Sequence, residues 1–233
     1  MSLMSRLASL LLVSITLGAC AETIQISGSD GRSYKASLQP KIIRDILVDG
    51  LRIRQVRLKS ETCSSGFQDS LEIDGNISED STATMQLILP KLAECRDKDG
   101  RRVVNIVYMN SNGGYLADGF KLGRLFRKHA TQTRVTGGQT CSSACAIAFL
   151  GGDFRSMADT GKLIYHAPYT LGRLGISVDC RDRGQVSDLR EYYIEMLDKK
   201  TGDFLLDRTM RYCSSSEGWT INSDAAELFG ILR

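Results

Sequence analysis

Apolar and polar positions change rhythm repeatedly along the 233 residues, and each change suggests an element. Residues 23–38 alternate about Ser29-Asp30-Gly31, the pattern of a hairpin whose turn tolerates positive φ. Residues 42–59 mix apolar and basic positions and read as a helix followed by a strand. Arg52, Arg54, Arg57 and Lys59 fall on the strand's solvated face. Leu71, Ile73 and Ile77 suggest a strand around Asp74-Gly75-Asn76. Residues 80–95 are helical in pattern, and Pro90, which has no amide donor, should kink or restart that helix. Residues 103–109 are apolar almost without alternation, as in a strand buried on both faces. Within 113–130, Leu116, Phe120, Leu122 and Phe126 recur at helical spacing. Residues 131–136 and 162–165 read as strands, and 143–150, 186–200 and 224–229 as helices. Strands alternating with helices imply right-handed βαβ units and a largely parallel sheet, hence an α/β fold.

The beginning of the chain follows another logic. Arg6 precedes an apolar stretch, 7–17, far short of the ~20 residues a bilayer-spanning helix needs. A basic start, a short apolar core and then small residues form the secretory pattern, so 1–20 is expected to be a signal peptide. It ends Leu17-Gly18-Ala19-Cys20, which resembles a bacterial lipobox; on that reading Cys20 carries lipid and begins the mature chain. Ala19-Cys20-Ala21 also fits ordinary cleavage after Ala21. Because Ala21 is not the aspartate of an inner-membrane retention signal, a lipidated chain is expected at the outer membrane, on its periplasmic side.

Composition narrows the class. Hydrophobic residues at 42% and charged residues at 24% describe a globular domain, neither disordered nor membrane-spanning. A net charge of +3 selects no partner, and no nucleic-acid module is recognisable. Beyond Cys20, six cysteines remain: Cys63, Cys95, Cys141, Cys145, Cys180 and Cys213. Their even number suits an oxidising compartment, although sequence alone leaves the connectivity open. Cys180 with Cys213, then Cys63 with Cys95, are the favoured pairs. Zinc is the rival reading, but there is no CxxC pair to support it.

Three stretches at the ends of expected strands carry the candidate chemistry. Asn110-Ser111-Asn112-Gly113-Gly114 turns from strand to helix and can present backbone amides. Gly137-Gly138-Gln139-Thr140-Cys141-Ser142-Ser143-Ala144-Cys145 leads into an apolar helix, where a serine is either a cap or a nucleophile. Tyr165-His166-Ala167-Pro168 ends a strand with one of only two histidines. The other, His129, lies beside Arg127 and Lys128 and reads as surface.

Order and spacing together resemble the proteolytic subunit of Clp protease and its exported bacterial relatives, within the ClpP/crotonase-like superfamily. NSNGG is followed by CSSAC, then YHAP, and Ala225-Ala226-Glu227-Leu228-Phe229-Gly230-Ile231 resembles the family's close. The resemblance covers residues 70–232 and implies a fold of repeated ββα units over 63–233, with 21–62 as an N-terminal extension. It implies Ser143 as nucleophile, His166 as general base, and the Gly114 and Ala144 amides as an oxyanion hole. It calls for no cofactor, takes a peptide or unfolded protein as substrate, and suggests a homo-oligomer. The family's aspartate falls at Gly218, so adjacent Glu217 is the candidate to orient His166. The 186–200 helix is shorter than the family's ring-stacking handle. Three alternatives remain: a non-catalytic envelope binding module whose site Cys141 and Cys145 lock, a serine–lysine enzyme using Lys199 or Lys200, and an acyl-CoA enzyme.

Overall fold

The computed structural model describes residues 23–27, 33–37, 40–171, 177–178, 180, 183–213 and 217–233. Residues 1–20, the expected signal peptide with Cys20, lie outside the described residues. The chain divides into two compact units, with the boundary in the sequence between Lys41 and Ile42. In the first, β1 (Thr23–Ser27) and β2 (Ser33–Ser37) pair antiparallel, as their alternation suggested.

The second unit begins with β3 (Lys41–Val48), β4 (Leu51–Lys59), β5 (Phe67–Ile77) and α1 (Glu79–Ile88). After short β6 (Cys95–Arg96) and β7 (Arg102–Val103) come β8 (Ile106–Gly114), α2 (Leu116–Lys128), β9 (Gln132–Val135), β10 (Thr140–Ser142) and α3 (Ala144–Phe149). β11 (Phe154–Met157), β12 (Lys162–Tyr165), β13 (Thr170–Leu171), β14 (Ser177–Val178), α4 (Arg183–Met196), α5 (Lys199–Thr209), β15 (Trp219–Ile221) and α6 (Ser223–Leu228) complete it. Among the described residues nine strands form one sheet, with a spine in the order β15-β12-β10-β8-β5-β4-β3 and β9 and β11 branching from β8. β5, β8, β9, β10, β11 and β12 pair in parallel, while β4 and β15 run antiparallel to their neighbours. The α/β class with a largely parallel sheet is thus present. Among the described residues no helix is long and apolar enough to cross a membrane.

Two expectations need correction. Residues 42–59 are not helix then strand but two strands joined at Asp49-Gly50, both residues having positive φ. β4 then pairs with β5 along its whole length. The compact unit starts at Ile42, and β3 and β4 belong to its sheet, so residues 42–62 fall in this unit rather than in a separate extension. The expected 80–95 helix stops at Ile88, and Pro90 sits in a single 3₁₀ turn, Leu89–Lys91, because the proline cannot donate into a continuing helix.

The basic run of β4 is neutralised within the sheet. Arg52 pairs with Asp45, Arg54 with Glu72 and Arg57 with Asp69. Ile53 and Val56 of the same strand are buried. One hydrophobic cluster joins Leu71, Ile73, Val107 and Met109 of the sheet to Phe126, Phe149 and Tyr192 of the helices.

All six cysteines are paired: Cys63–Cys95, Cys141–Cys145 and Cys180–Cys213. None remains as a thiolate to hold a metal. The two long bridges close loops of 32 and 33 residues. Replacing either pair by alanine is expected to cost about 3–4 kcal/mol in denaturant unfolding, the entropy that such a loop withdraws from the unfolded chain. Alkylation of the unreduced mature protein should label almost no thiol among these six; six labelled thiols would refute the pairing.

Candidate active site

Three neighbouring parallel strands, β8, β10 and β12, end on the same edge of the sheet. The register sets Cys141 beside Ser111 and pairs Ser142 with Ile164. The last residues of β8, 112–114, and the residues that follow β10 and β12, Ser143 and His166, therefore come to that edge. In open α/β sheets this edge is where ligands bind. The outcome here is a cleft of about 700 Å³, lined by Asn112, Gly114, Ser143, His166, Tyr169 and Glu217 among others.

Ser143 sits where β10 turns sharply into α3. Its φ of 56° and ψ of −125° lie in a region that side-chain-bearing residues rarely enter, at a cost of order 1–3 kcal/mol. The turn is fixed by the Ser143 amide, which donates to the Ile164 carbonyl at 2.8 Å. The Ser143 hydroxyl does not cap the helix. The bland alternative, a capping serine, is therefore not what the structure contains. Ala144 is the first residue of α3, so its amide has no acceptor within the helix.

The other end of α3 is tied down group by group. This six-residue helix is apolar and buried throughout. Its last carbonyls have no partners within the helix. Tyr165 and Tyr192 hydroxyls donate to the Ala146 and Ile147 carbonyls, and Thr133 donates to Phe149. Arg127 and buried Arg155 both donate to Leu150. Burial and neighbouring Arg233 push the Arg155 guanidinium down to about 10, still cationic at neutral pH. Five side chains from five elements thus hold the helix that aims Ser143.

The asparagine–glycine motif is not the glycine turn expected from sequence. β8 continues as strand through Gly114, and Gly113 and Gly114 have φ of 101° and 153°. A Cβ on Gly113 would lie 2.6 Å from the Ser142 carbonyl oxygen and 2.9 Å from the Ala144 amide nitrogen. Only glycine lets the end of β8 back so closely against the serine turn. Gly113, next to Gly114 in the chain, is thereby held beside the Ala144 amide.

His166 projects into the cleft, and its Nδ1 lies 2.9 Å from the Ala167 carbonyl. A carbonyl can only accept, so Nδ1 is the donor in this bond, and in the neutral form of the ring the lone pair is on Nε2. Its ring lies 5.4 Å from that of Tyr169, tilted 31°. No hydrogen bond joins Ser143 to His166 among the described residues. Glu217 lines the cleft but is exposed, makes no hydrogen bond or ion pair among the described residues, and does not hold His166. Gly218, where an aspartate falls by resemblance, has no room for one: a Cβ there would lie 2.5 Å from Ile164 Cγ2. Sequence reasoning missed the orienting carbonyl of Ala167, because every residue has one, and also Tyr169, Tyr212 and Thr220 of the wall. Lys199 is ion-paired with Asp203, and neither it nor Lys200 lines the cleft. His129, expected at the surface, is half-buried at the end of α2.

No protein-family model matches the chain. No curated protein matches it either. Solved structures do. A point mutant of ClpP1 from Listeria monocytogenes aligns with a TM-score of 0.50 at 15% identity, over 70% of this chain and 88% of that one. A point mutant of the 1510-N membrane-bound stomatin-specific protease gives 0.51 at 12% identity, over 70% and 76%. A second mutant of that protease, in complex with a substrate peptide, gives 0.50 at 12% identity, over 70% and 72%. What they share with this chain is the fold.

Proposed function

We propose that this chain, which has the ClpP-like fold of those proteases, is a serine peptidase of the cell envelope that hydrolyses peptides or unfolded protein. The observation that carries the reading is the pairing of states in one cleft. Ser143 presents from a strained turn a hydroxyl that does not cap its helix, and His166 donates from Nδ1 to the Ala167 carbonyl. Nε2 is then the base. It takes the Ser143 proton as Oγ attacks the scissile carbonyl, and returns it to the departing amine. The acyl group left on Oγ is released by water, deprotonated by the same Nε2. The Gly114 and Ala144 amides are the donors for the tetrahedral oxyanion. No cofactor takes part in these steps.

The direct test is labelling of the purified mature protein by a fluorophosphonate probe, which modifies an activated serine hydroxyl. Labelling lost in Ser143→Ala supports the reading. A folded wild type that neither labels nor hydrolyses casein-like substrates would give way to the second reading, a non-catalytic binding module. That reading is favoured by the absence of a carboxylate on His166 and of a Ser143–His166 hydrogen bond among the described residues.

The envelope location rests on the sequence of the leader and is consistent with the three bridges. Intact-mass measurement of the membrane-derived protein should show a chain beginning at Cys20 with acyl mass added. A chain beginning at Glu22 without lipid would replace the anchored form by a free periplasmic one.

A further inference from the structure

Cys141 and Cys145 are four residues apart, and their bridge encloses only Ser142, Ser143 and Ala144. Those are the residues of the nucleophile turn and of the proposed oxyanion amide. Cys141 belongs to β10, between Ser111 of β8 and Leu163 of β12, and Cys145 to α3. Both half-cystines are fully buried.

The size of the ring indicates what the bridge does. A disulfide stabilises the fold by withdrawing loop entropy from the unfolded chain, so a very short loop contributes least. The bridges across 32 and 33 residues are the efficient staples. What the short ring restrains is local: the direction in which β10 leaves the sheet and α3 starts. Ser143 holds a positive φ between those two points, a conformation that persists only where its surroundings over-determine it. The Ser143–Ile164 hydrogen bond and the close contact with Gly113 are the non-covalent restraints on the same turn.

We infer that the Cys141–Cys145 bridge is a positioning element for Ser143, so that the peptidase becomes competent only once these two thiols have been oxidised. The inference rests on the peptidase reading above. In the activating step the thiols lose two electrons and two protons as the S–S bond forms. A disulfide-bearing oxidant, protein or small molecule, accepts both and leaves as two thiols. In a reducing compartment the pair stays reduced and the turn unlocked, and the chain is kept latent; after export the oxidant is available. Because both sulfurs are buried, the bridge closes during folding and is shielded from thiols in solution. The device is a one-way activation tied to export, not a reversible switch.

The test compares the mature protein with its Cys141→Ala/Cys145→Ala double variant, and uses Cys63→Ala/Cys95→Ala as control. Fluorophosphonate labelling rate, kcat and KM for a peptide, and near-UV circular dichroism are measured on all three. The expected result is a fall in labelling rate and kcat of about 100-fold in the first variant, the cost of a nucleophile displaced by about an ångström. KM and the dichroism should move little. The control should lose thermal stability and keep its rate. Wild type folded under reductant should be slow in the same way, and recover only after it is unfolded and refolded with glutathione disulfide present. Wild-type kcat in the first variant overturns the inference, as does an equal fall in the control. An unfolded first variant also overturns it, because the bridge would then serve folding and not positioning. Inactive, unlabelled wild type would instead be a failure of the peptidase reading.

Discussion

Ser143→Ala and His166→Ala are each expected to lower peptide hydrolysis by about 10⁴-fold or more, and the double variant by little beyond either single one. A base without its nucleophile, or a nucleophile without its base, leaves only the binding contributions of the cleft. Ser142→Ala should be close to wild type, since that residue contributes its backbone to the Gly113 contact. Glu217→Gln separates two ways of holding the imidazole. If the Ala167 carbonyl fixes the tautomer, as the 2.9 Å contact with Nδ1 suggests, the variant keeps its rate. A loss of about 100-fold or more would make Glu217 the orienting group and remove the carbonyl from that role. His166→Ala with full activity would move the base elsewhere, and Lys199 would then have to leave its ion pair with Asp203 to serve.

Asp69→Ala is expected to cost the fold about 2–5 kcal/mol in urea unfolding, from leaving two buried donors unsatisfied at about 1–3 kcal/mol each. Asp69 is fully buried on β5 and accepts from Arg57 Nε at 2.7 Å, Arg57 Nη2 at 2.9 Å and Gln55 Nε2 at 2.9 Å. The Ala93 amide, beyond the proline turn, donates to the same carboxylate at 2.9 Å. Removing it strands the amide and the Gln55 side chain, although half-buried Arg57 can turn to water. A loss below about 1 kcal/mol, the ordinary effect of a surface change, would show that Asp69 is no such hub.

The same residue sets an acid limb of stability. Burial alone would raise its carboxyl, but the Arg57, Ala93 and Gln55 donors outweigh it and hold the group below its ordinary value. A carboxyl lowered in the fold contributes fully above its unfolded value, about pH 4. The contribution is lost as pH falls through the lower folded value. Asp69→Asn should therefore narrow the stability difference from wild type as pH falls through that window. A difference independent of pH would mean that Asp69 is not ionised in the fold.

The alternation of strand-like and helix-like stretches was legible because it is local. Val107 and Met109, or Phe120 and Phe126, report their faces by spacing alone. So were the three chemistry-bearing stretches, since a parallel sheet sends its functional residues to one edge whatever the details. Short elements were not legible. β10 and β15 have three residues each, too few for any period. In α5 the buried positions are Gly202, Leu205 and Thr209, hardly an apolar stripe. β3 misled for another reason: Ile42, Ile43, Ile46 and Leu47 fall at a near-helical spacing, and a half-exposed edge strand tolerates that pattern.

By itself the sequence determined the α/β class, the export-type leader pattern, two of the three cysteine pairs as favoured choices, and Ser143 and His166 as the residues to watch. Only the tertiary structure decided what surrounds them. It set Ser143 at positive φ, backed Gly113 onto its turn, closed Cys141 to Cys145, and gave His166 the Ala167 carbonyl, while Glu217 made no hydrogen bond among the described residues. The physical reason is separation along the chain. A periodic face is written by residues three or four apart, whereas a hydrogen bond or a close backbone approach depends on how distant strands register. Gly218 shows the difference: by resemblance it is a missing acid, and in the fold it is the residue whose lack of a side chain lets β15 lie against Ile164.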